Sequence, residues 1–177
     1  MNPQFSRRRM LLAAIAGVTA GKALTSFAAP VSAENSGTDA QIPASALIEP
    51  NELARVLESK DAMPLILQVG VRFLYAQAHI PGAEYIGATG SPEGLEALRH
   101  RVANLNKNRP IVLYCGCCPW DRCPNIGPAF EELRSMGFTH VKALHIADNF
   151  GADWTDRGYP VQSVRQENAG VRRDIAE

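Results

Sequence analysis

Arg109-Pro110-Ile111-Val112-Leu113-Tyr114-Cys115-Gly116-Cys117-Cys118-Pro119-Trp120-Asp121-Arg122-Cys123 runs from a β-like apolar segment into a cluster that holds all four cysteines of the chain. A helix-like run, 125–136, follows and ends at Gly137. Residues 111–114 are short and continuously apolar, the pattern of a strand buried on both faces of a parallel sheet. A thiol at the turn from such a strand into a helix faces backbone N–H groups and the positive end of the helix, which lowers thiol pKa and attracts anions.

Outward from this stretch, strand and helix patterns alternate. Glu49-Pro50-Asn51-Glu52-Leu53 opens a helix, with Pro early, acidic residues in the first turn, and Leu53, Val56 and Leu57 on one face. Residues 64–69 read as a second buried strand and 73–78 as one or two helical turns. His79-Ile80-Pro81-Gly82-Ala83 is a turn, and Tyr85-Ile86 a short strand. Residues 93–105 are helical, with Leu95, Leu98 and Val102 spaced toward a core. Residues 141–144 form a late strand, and 149–157 a short helix closed by Gly158-Tyr159-Pro160. This order predicts a three-layer α/β domain with a mainly parallel sheet, in which ligands bind beyond the carboxyl ends of the strands. Cys115 lies at such an end.

The whole chain agrees with that class. With 177 residues, 46% hydrophobic and 20% charged, it suits one globular domain behind a targeting segment. Lys+Arg and Asp+Glu each number 18, so no basic field points to nucleic acid. Ser6-Arg7-Arg8-Arg9-Met10-Leu11-Leu12 opens a mild apolar stretch, 10–20, which is shorter than the ~20 residues that cross a bilayer. Lys22 and the small-residue end Val31-Ser32-Ala33 complete a pattern similar to the twin-arginine export signal, cleaved before Glu34. An ordinary secretory signal is the alternative. Either route leads to the periplasm, where disulfides are permitted, with no stable membrane anchor after cleavage. The expected division is a signal over 1–33, a flexible leader over 34–46, the α/β domain over 47–163 and a charged tail over 164–177.

Four features between Leu65 and Val161 resemble a single rhodanese domain. They are the first apolar strand with Ala78-His79-Ile80-Pro81-Gly82-Ala83 after it, the strand ending in Cys115, the helix end Leu133-Arg134-Ser135-Met136-Gly137-Phe138, and Trp154 with Gly158-Tyr159-Pro160-Val161. The branch is divergent. Where the family has Asp-Val-Arg, this chain has Gln68-Val69-Gly70, and Arg72 is the nearest cation to stand in for the lost Arg. Its loop is longer than the family's Cys-Arg-x-Gly-x-Arg and carries three extra cysteines. The usual Gly-Gly after the late strand is replaced around Ala147-Asp148-Asn149.

The resemblance implies sulfurtransferase activity. A cysteine thiolate takes the outer sulfur of thiosulfate or a persulfide, holds it as a persulfide, and passes it to cyanide or a thiol. By residue match Cys115 is the sulfur carrier. The loop Gly116, Cys117, Cys118, Pro119, Trp120, Asp121 and Arg122 is the substrate cradle, with Arg122 toward a sulfonate and Trp120 as a lid or a packing residue. The implied partners are a small sulfur-containing anion or thiol, and a periplasmic reductant or sulfur acceptor. No cofactor is implied.

Cys117, Cys118 and Cys123 stay open between disulfide and resolving roles. Cys118 with Cys123 is the easier closed pair, because adjacent Cys117-Cys118 would form a strained ring. Soft-metal binding by Cys115, Cys117, Cys118 and Cys123 is a further alternative. It would make the chain a non-catalytic periplasmic metal- or persulfide-binding module. The cysteine-phosphatase loop needs Cys-x5-Arg, whereas six residues separate Cys115 from Arg122 and four separate Cys117 from it. His79 reads as a turn-holding residue, and His145 as a group that can approach the site from the late strand.

Overall fold

A computed structural model describes residues 42–59, 63–166 and 168. The segments expected as export signal and charged tail fall outside these residues, apart from the first turn of the tail, where Gln166 folds back on Ser163. The two apolar runs that flank the cysteine stretch form the centre of the sheet. These strands, β2 (Leu65–Gln68) and β4 (Ile111–Tyr114), are buried at every position and pair in parallel, Leu65 with Ile111 through Gln68 with Tyr114. The other strands are β1 (Leu47–Ile48), β3 (Glu84–Tyr85) and β5 (Val141–Leu144). All five are parallel, in the order β1-β5-β4-β2-β3.

Alternation along the strands divides the core between the two faces. Leu65, Leu67, Ile111, Leu113 and Cys115 point to one side, against Leu98 and Val102 of α3 (Pro92–Val102) and Ala129, Phe130 and Leu133 of α4 (Ile126–Ser135). Ile66, Val112 and Tyr114 point to the other, against Leu53 of α1 (Pro50–Ser59), Ile80, Phe150 and Trp154. Each fully buried side chain of this size contributes roughly 1.5–3 kcal/mol of transfer free energy, so the sheet centre dominates stability. The result is a three-layer α/β architecture, as expected.

Helix ends follow local chemistry. The Glu49 N–H donates to Glu52 Oε2 (3.0 Å) at the start of α1. Ser91 Oγ accepts from the Gly94 N–H (3.3 Å) at the start of α3, with Pro92 in the first position. Gly137 ends α4 at φ +88°, and the Phe138 N–H returns to the Leu133 carbonyl (3.0 Å). Arg99 grips Glu132 with two nitrogens (2.8 and 3.1 Å) and so links α3 to α4.

Several local expectations shift. Residues 42–46, expected within a flexible leader, are ordered in part: Ile42 is buried in the core, and Ala44–Ala46 form a largely exposed 3-10 turn leading into β1. The strand expected at Tyr85-Ile86 is Glu84–Tyr85. The helix expected over 93–105 stops at Val102, and Gly94 occupies a buried place in its first turns while Leu95 is half-buried. A Cβ at Gly94 would meet the Ala88 carbonyl, so only glycine allows α3 to approach that backbone. The late helix is a π-helical turn, Gly151–Thr155. α2 (Arg72–Gln77) matches the expected one or two turns.

Candidate active site

β4 delivers Cys115 to the carboxyl end of the sheet, on the face covered by α3 and α4. Gln68, at the end of β2, fixes the start of the loop. Its Nε2 donates to the Cys115 carbonyl (3.3 Å), and its Oε1 accepts from the Gly70 N–H (3.2 Å). The glutamine that replaces the family's Asp therefore ties the two central strand ends together. Gly70, in place of the family's Arg, makes room for the thiol: a Cβ there would stand 2.7 Å from Cys115 Sγ. Arg72 does not stand in for the missing arginine. It is exposed on α2, with its guanidinium 5.3 Å from the centre of the Tyr85 ring.

The next residue reverses the chain. Gly116 has φ +73°, and a Cβ on it would fall 2.7 Å from Phe150 Cβ. The Phe150 N–H donates to the Gly116 carbonyl (3.0 Å), which pins the turn. The reversal lays Cys117 Sγ 3.1 Å from Cys115 Sγ, with Cys118 Sγ 3.3 Å beyond it. No disulfide joins any of the four cysteines. Cys115 and Cys123 are buried, Cys117 and Cys118 half-buried.

Asn125, in sequence a helix start, is a residue of the site. It stands at the N-terminal cap of α4 but makes no capping bond to its own helix. Its Nδ2 lies 3.4 Å from Cys115 Sγ and 3.9 Å from Cys117 Sγ. Its Oδ1 accepts from the Gly90 N–H (2.9 Å), and its carbonyl accepts from Thr89 Oγ1 (2.7 Å). The side chain is thus held from behind by the 89–90 turn and presents an amide donor to the sulfurs.

The sulfurs share protons unevenly. Cys117 is pulled down to about 2, first by a hydrogen bond from the Cys115 thiol and then by one from Cys123. Cys115 is pushed up because its proton is held between it and Cys117, with a further push from Cys123 and from burial. Burial, and then donation to Cys117, push Cys118 up to about 12. Cys123 accepts from Cys115, which works to lower it, but donation to Cys117 and burial prevail and raise it. The N–H groups of Asn125 and Ile126, the positive end of α4, also point at Cys123. Of the four sulfurs, Cys117 is thus the one whose surroundings favour the thiolate.

The rest of the loop turns outward. Pro119 leads into a 3-10 turn, Trp120–Arg122. Trp120 is packed in the core, with its ring edge-on to His145 at 5.1 Å, so it is not a lid. The Trp120 N–H donates to the Ala147 carbonyl (3.0 Å) and the Arg122 N–H to Pro119 (3.0 Å). These two donors of the expected 116–122 cradle are thereby occupied. Asp121 and Arg122 face solvent, 3.8 Å from each other, with the Arg122 side chain 74% exposed. His145 bonds Glu49 through Nδ1 (3.0 Å). His79 is buried, stacked on Tyr75 and bonded through Nδ1 to the Tyr75 carbonyl (2.7 Å), which is a turn-holding role.

The adjoining cavity, about 510 Å³, is lined by Leu74, Gln77, Ala78, Cys117, Asn149 and Phe150 among others. Of the four cysteines only Cys117 reaches it. A larger groove of about 700 Å³, bounded by Pro43, Pro110, Thr139 and Lys142, sits at the opposite ends of the strands and touches none of the cysteines. The sulfur spacings do not suit a metal. Zn–S bonds of about 2.3 Å in a tetrahedron set sulfurs about 3.8 Å apart, against 3.1 and 3.3 Å here. Among the described residues no group of three or more His, Cys, Asp or Glu is arranged around a common metal position.

Comparison with known proteins supports the fold and identifies the family. A search among curated proteins returned no match. Among solved structures, the chain is similar to the rhodanese-like domain of the Alr3790 protein from Anabaena sp. (26% identity, 67% of this chain and 80% of that one, TM-score 0.50). It shares its fold with the BH2092 protein from Bacillus halodurans (20% identity, 67% and 77% covered, TM-score 0.53). It shares it also with a protein of unknown function, possible tyrosine phosphatase, from Rhodopseudomonas palustris (16% identity, 71% and 88% covered, TM-score 0.51). The family model for the rhodanese-like domain matches residues 49–145, the interval that contains all five strands except Leu47–Ile48 and every cysteine. The chain belongs to the rhodanese-like domain family.

Proposed function

We propose that this protein is a sulfurtransferase that moves a sulfane sulfur, taken from thiosulfate or a persulfide, through a Cys115 persulfide to a thiol or cyanide. The observation that carries the reading is the placement of Cys115 Sγ at the carboxyl end of β4, between the Asn125 amide (3.4 Å) and the Cys117 sulfur (3.1 Å). One neighbour can take the Cys115 proton and the other can donate to a negative sulfur. As Cys115 attacks the outer sulfur of thiosulfate, its proton passes to the Cys117 thiolate. The new S–S bond forms, the bond to the sulfonate sulfur breaks, and sulfite leaves with the electron pair. Cyanide or a thiolate then takes the terminal sulfur, and Cys115 recovers its proton from Cys117.

The phosphatase chemistry suggested for the Rhodopseudomonas palustris protein is not supported in this chain. Its Cys-to-Arg spacing differs from Cys-x5-Arg, and Arg122 points to solvent. The Arg7-Arg8 signal supports export by the twin-arginine route and a periplasmic site of action. The test is thiocyanate formation from thiosulfate and excess cyanide, wild type against Cys115→Ser. Turnover in the wild type that is lost in the variant fits the proposal. No turnover, or turnover indifferent to the substitution, favours a persulfide-binding module without catalysis.

A further inference from the structure

We propose that Cys117 is a resolving thiol, so that in the absence of an external acceptor the site reduces sulfane sulfur to sulfide and is left with a Cys115–Cys117 disulfide. This rests on the reading of Cys115 as sulfur carrier.

The local geometry makes the second thiol unavoidable for a sulfur held on Cys115. The Gly116 reversal is fixed twice, by a φ of +73° and by Phe150, whose Cβ occupies the space a side chain on residue 116 would need. Its consequence is the 3.1 Å approach of Cys117 Sγ to Cys115 Sγ, closer than the 3.3 Å between Cys117 and Cys118. Cys115 is 3% exposed, whereas Cys117 is half-buried and lines the cavity. An acceptor entering from that cavity meets Cys117 first. The thiol already in contact with the inner sulfur of a Cys115 persulfide is therefore an internal one, at an effective concentration no dissolved thiol reaches.

The chemistry balances. After loading, Cys115 carries S–S⁻ and Cys117 is protonated. The Cys117 proton moves to the terminal sulfur, and the Cys117 sulfur attacks Cys115 Sγ. The Sγ–Sγ bond forms, the bond to the terminal sulfur breaks, and HS⁻ leaves with the electron pair. The sulfane sulfur gains two electrons and the two cysteines lose them. A dithiol reductant then reopens the disulfide by exchange and ends as its own disulfide. The site would thus stand between a reaction that yields persulfide or thiosulfate and one that consumes sulfide.

The experiment treats the reduced full chain with thiosulfate, with no cyanide or thiol added. Released sulfide is trapped with a bimane reagent, and the protein mass is recorded. Wild type is expected to release about one sulfide per chain, to lose about 2 Da, and to show a Cys115–Cys117 link on peptide mapping. Cys117→Ser is expected to load more slowly, to keep an added mass of about 32 Da on Cys115, and to release less than about a tenth of the sulfide. Circular dichroism checks that the variant is folded, and Cys117→Ala repeats the measurement without a hydroxyl. Sulfide release by both variants at the wild-type level, or a link between any other pair, overturns the proposal. If wild type makes thiocyanate with cyanide but no sulfide without it, this inference fails and the sulfurtransferase reading stands. If it makes neither, both fail.

Discussion

Gly70 and Cys115 are matched in shape: the thiol occupies the space that a side chain at residue 70 would take, with a built Cβ only 2.7 Å from Sγ and 3.4 Å from the Cys115 carbonyl. Gly70→Ala is therefore an overpacking change at the end of the buried strand β2. It should cost about 1–3 kcal/mol, read by urea unfolding, and push Cys115 away from Asn125. Thiocyanate turnover should fall at least about tenfold, since misplacement of a reacting atom by an ångström costs that much or more. Unchanged stability and turnover would show that the fit of residue 70 to the sulfur is unimportant.

Asn125 connects the 89–90 turn to the sulfurs. Asn125→Ala removes the donor to Cys115 and leaves the Gly90 N–H without its partner, at a cost of about 1–3 kcal/mol. Asn125→Asp keeps an acceptor for Gly90 but sets a carboxylate against the cluster. Its rapidly alkylated thiol should titrate at higher pH than in wild type, by the repulsion of like charges. Iodoacetamide rates followed from about pH 7 down to the acid limit of folding would reveal the shift as an earlier fall in rate in Asn125→Asp; identical profiles down to the pH where the wild-type rate falls would contradict it.

The thiol cluster gives stability a particular pH dependence. Cys117 lies far below its ordinary 9.0, so its contribution is complete above pH 9 and is lost as pH falls toward its folded value of about 2. Cys115, Cys118 and Cys123 lie above 9.0, so theirs is complete below pH 9 and is lost as pH rises. The contribution of the cluster should therefore rise from acid toward pH 9 and decline beyond it. Reduced wild type and a chain with all four cysteines changed to Ala, unfolded in urea across that range, give the difference directly. A difference that falls steadily from pH 5 to pH 9 would exclude the assigned protonation.

Arg122 is paired with Asp121 and turned to solvent. Arg122→Ala should change thiosulfate kcat/KM by less than about threefold, because exposed pairs contribute about 0–1 kcal/mol. A loss of a hundredfold would restore it as the sulfonate-binding residue.

The export reading has its own check. Arg7→Lys with Arg8→Lys should leave the uncleaved chain in the cytoplasm, seen by fractionation and by the mass of the 1–33 segment. Normal processing would point to the general secretory route.

Much of this architecture was legible in the chain because it depends on short-range pattern. β4 is a continuous apolar run and β2 one that ends in Gln68, the pattern of strands in a sheet covered on both faces. Pro50 and Gly137 mark helix ends by local chemistry. The strand ending in Cys115, with the His79-Ile80-Pro81-Gly82-Ala83 turn, located the candidate site.

What stayed hidden depends on contacts between segments far apart. Asn125 reads as an ordinary cap until Gly90, 35 residues earlier, is seen to claim its oxygen. Trp120 sits in a polar, cysteine-rich loop yet packs on His145 across the sheet end. The approach of Cys117 to Cys115 comes from the positive φ at Gly116 and from Phe150, which the loop sequence does not contain. A Cys-Gly-Cys in the sequence allowed that turn, but it took Phe150 to impose it.

The most direct measurement of the central claim is tandem mass spectrometry of the Cys117→Ser chain after thiosulfate, which locates the transferred sulfur while the neighbouring thiol cannot remove it. The expected result is an added mass of about 32 Da on Cys115 alone, discharged as thiocyanate when cyanide is added. Sulfur found on Cys118 or Cys123, or no added sulfur in a folded chain, would contradict Cys115 as the carrier.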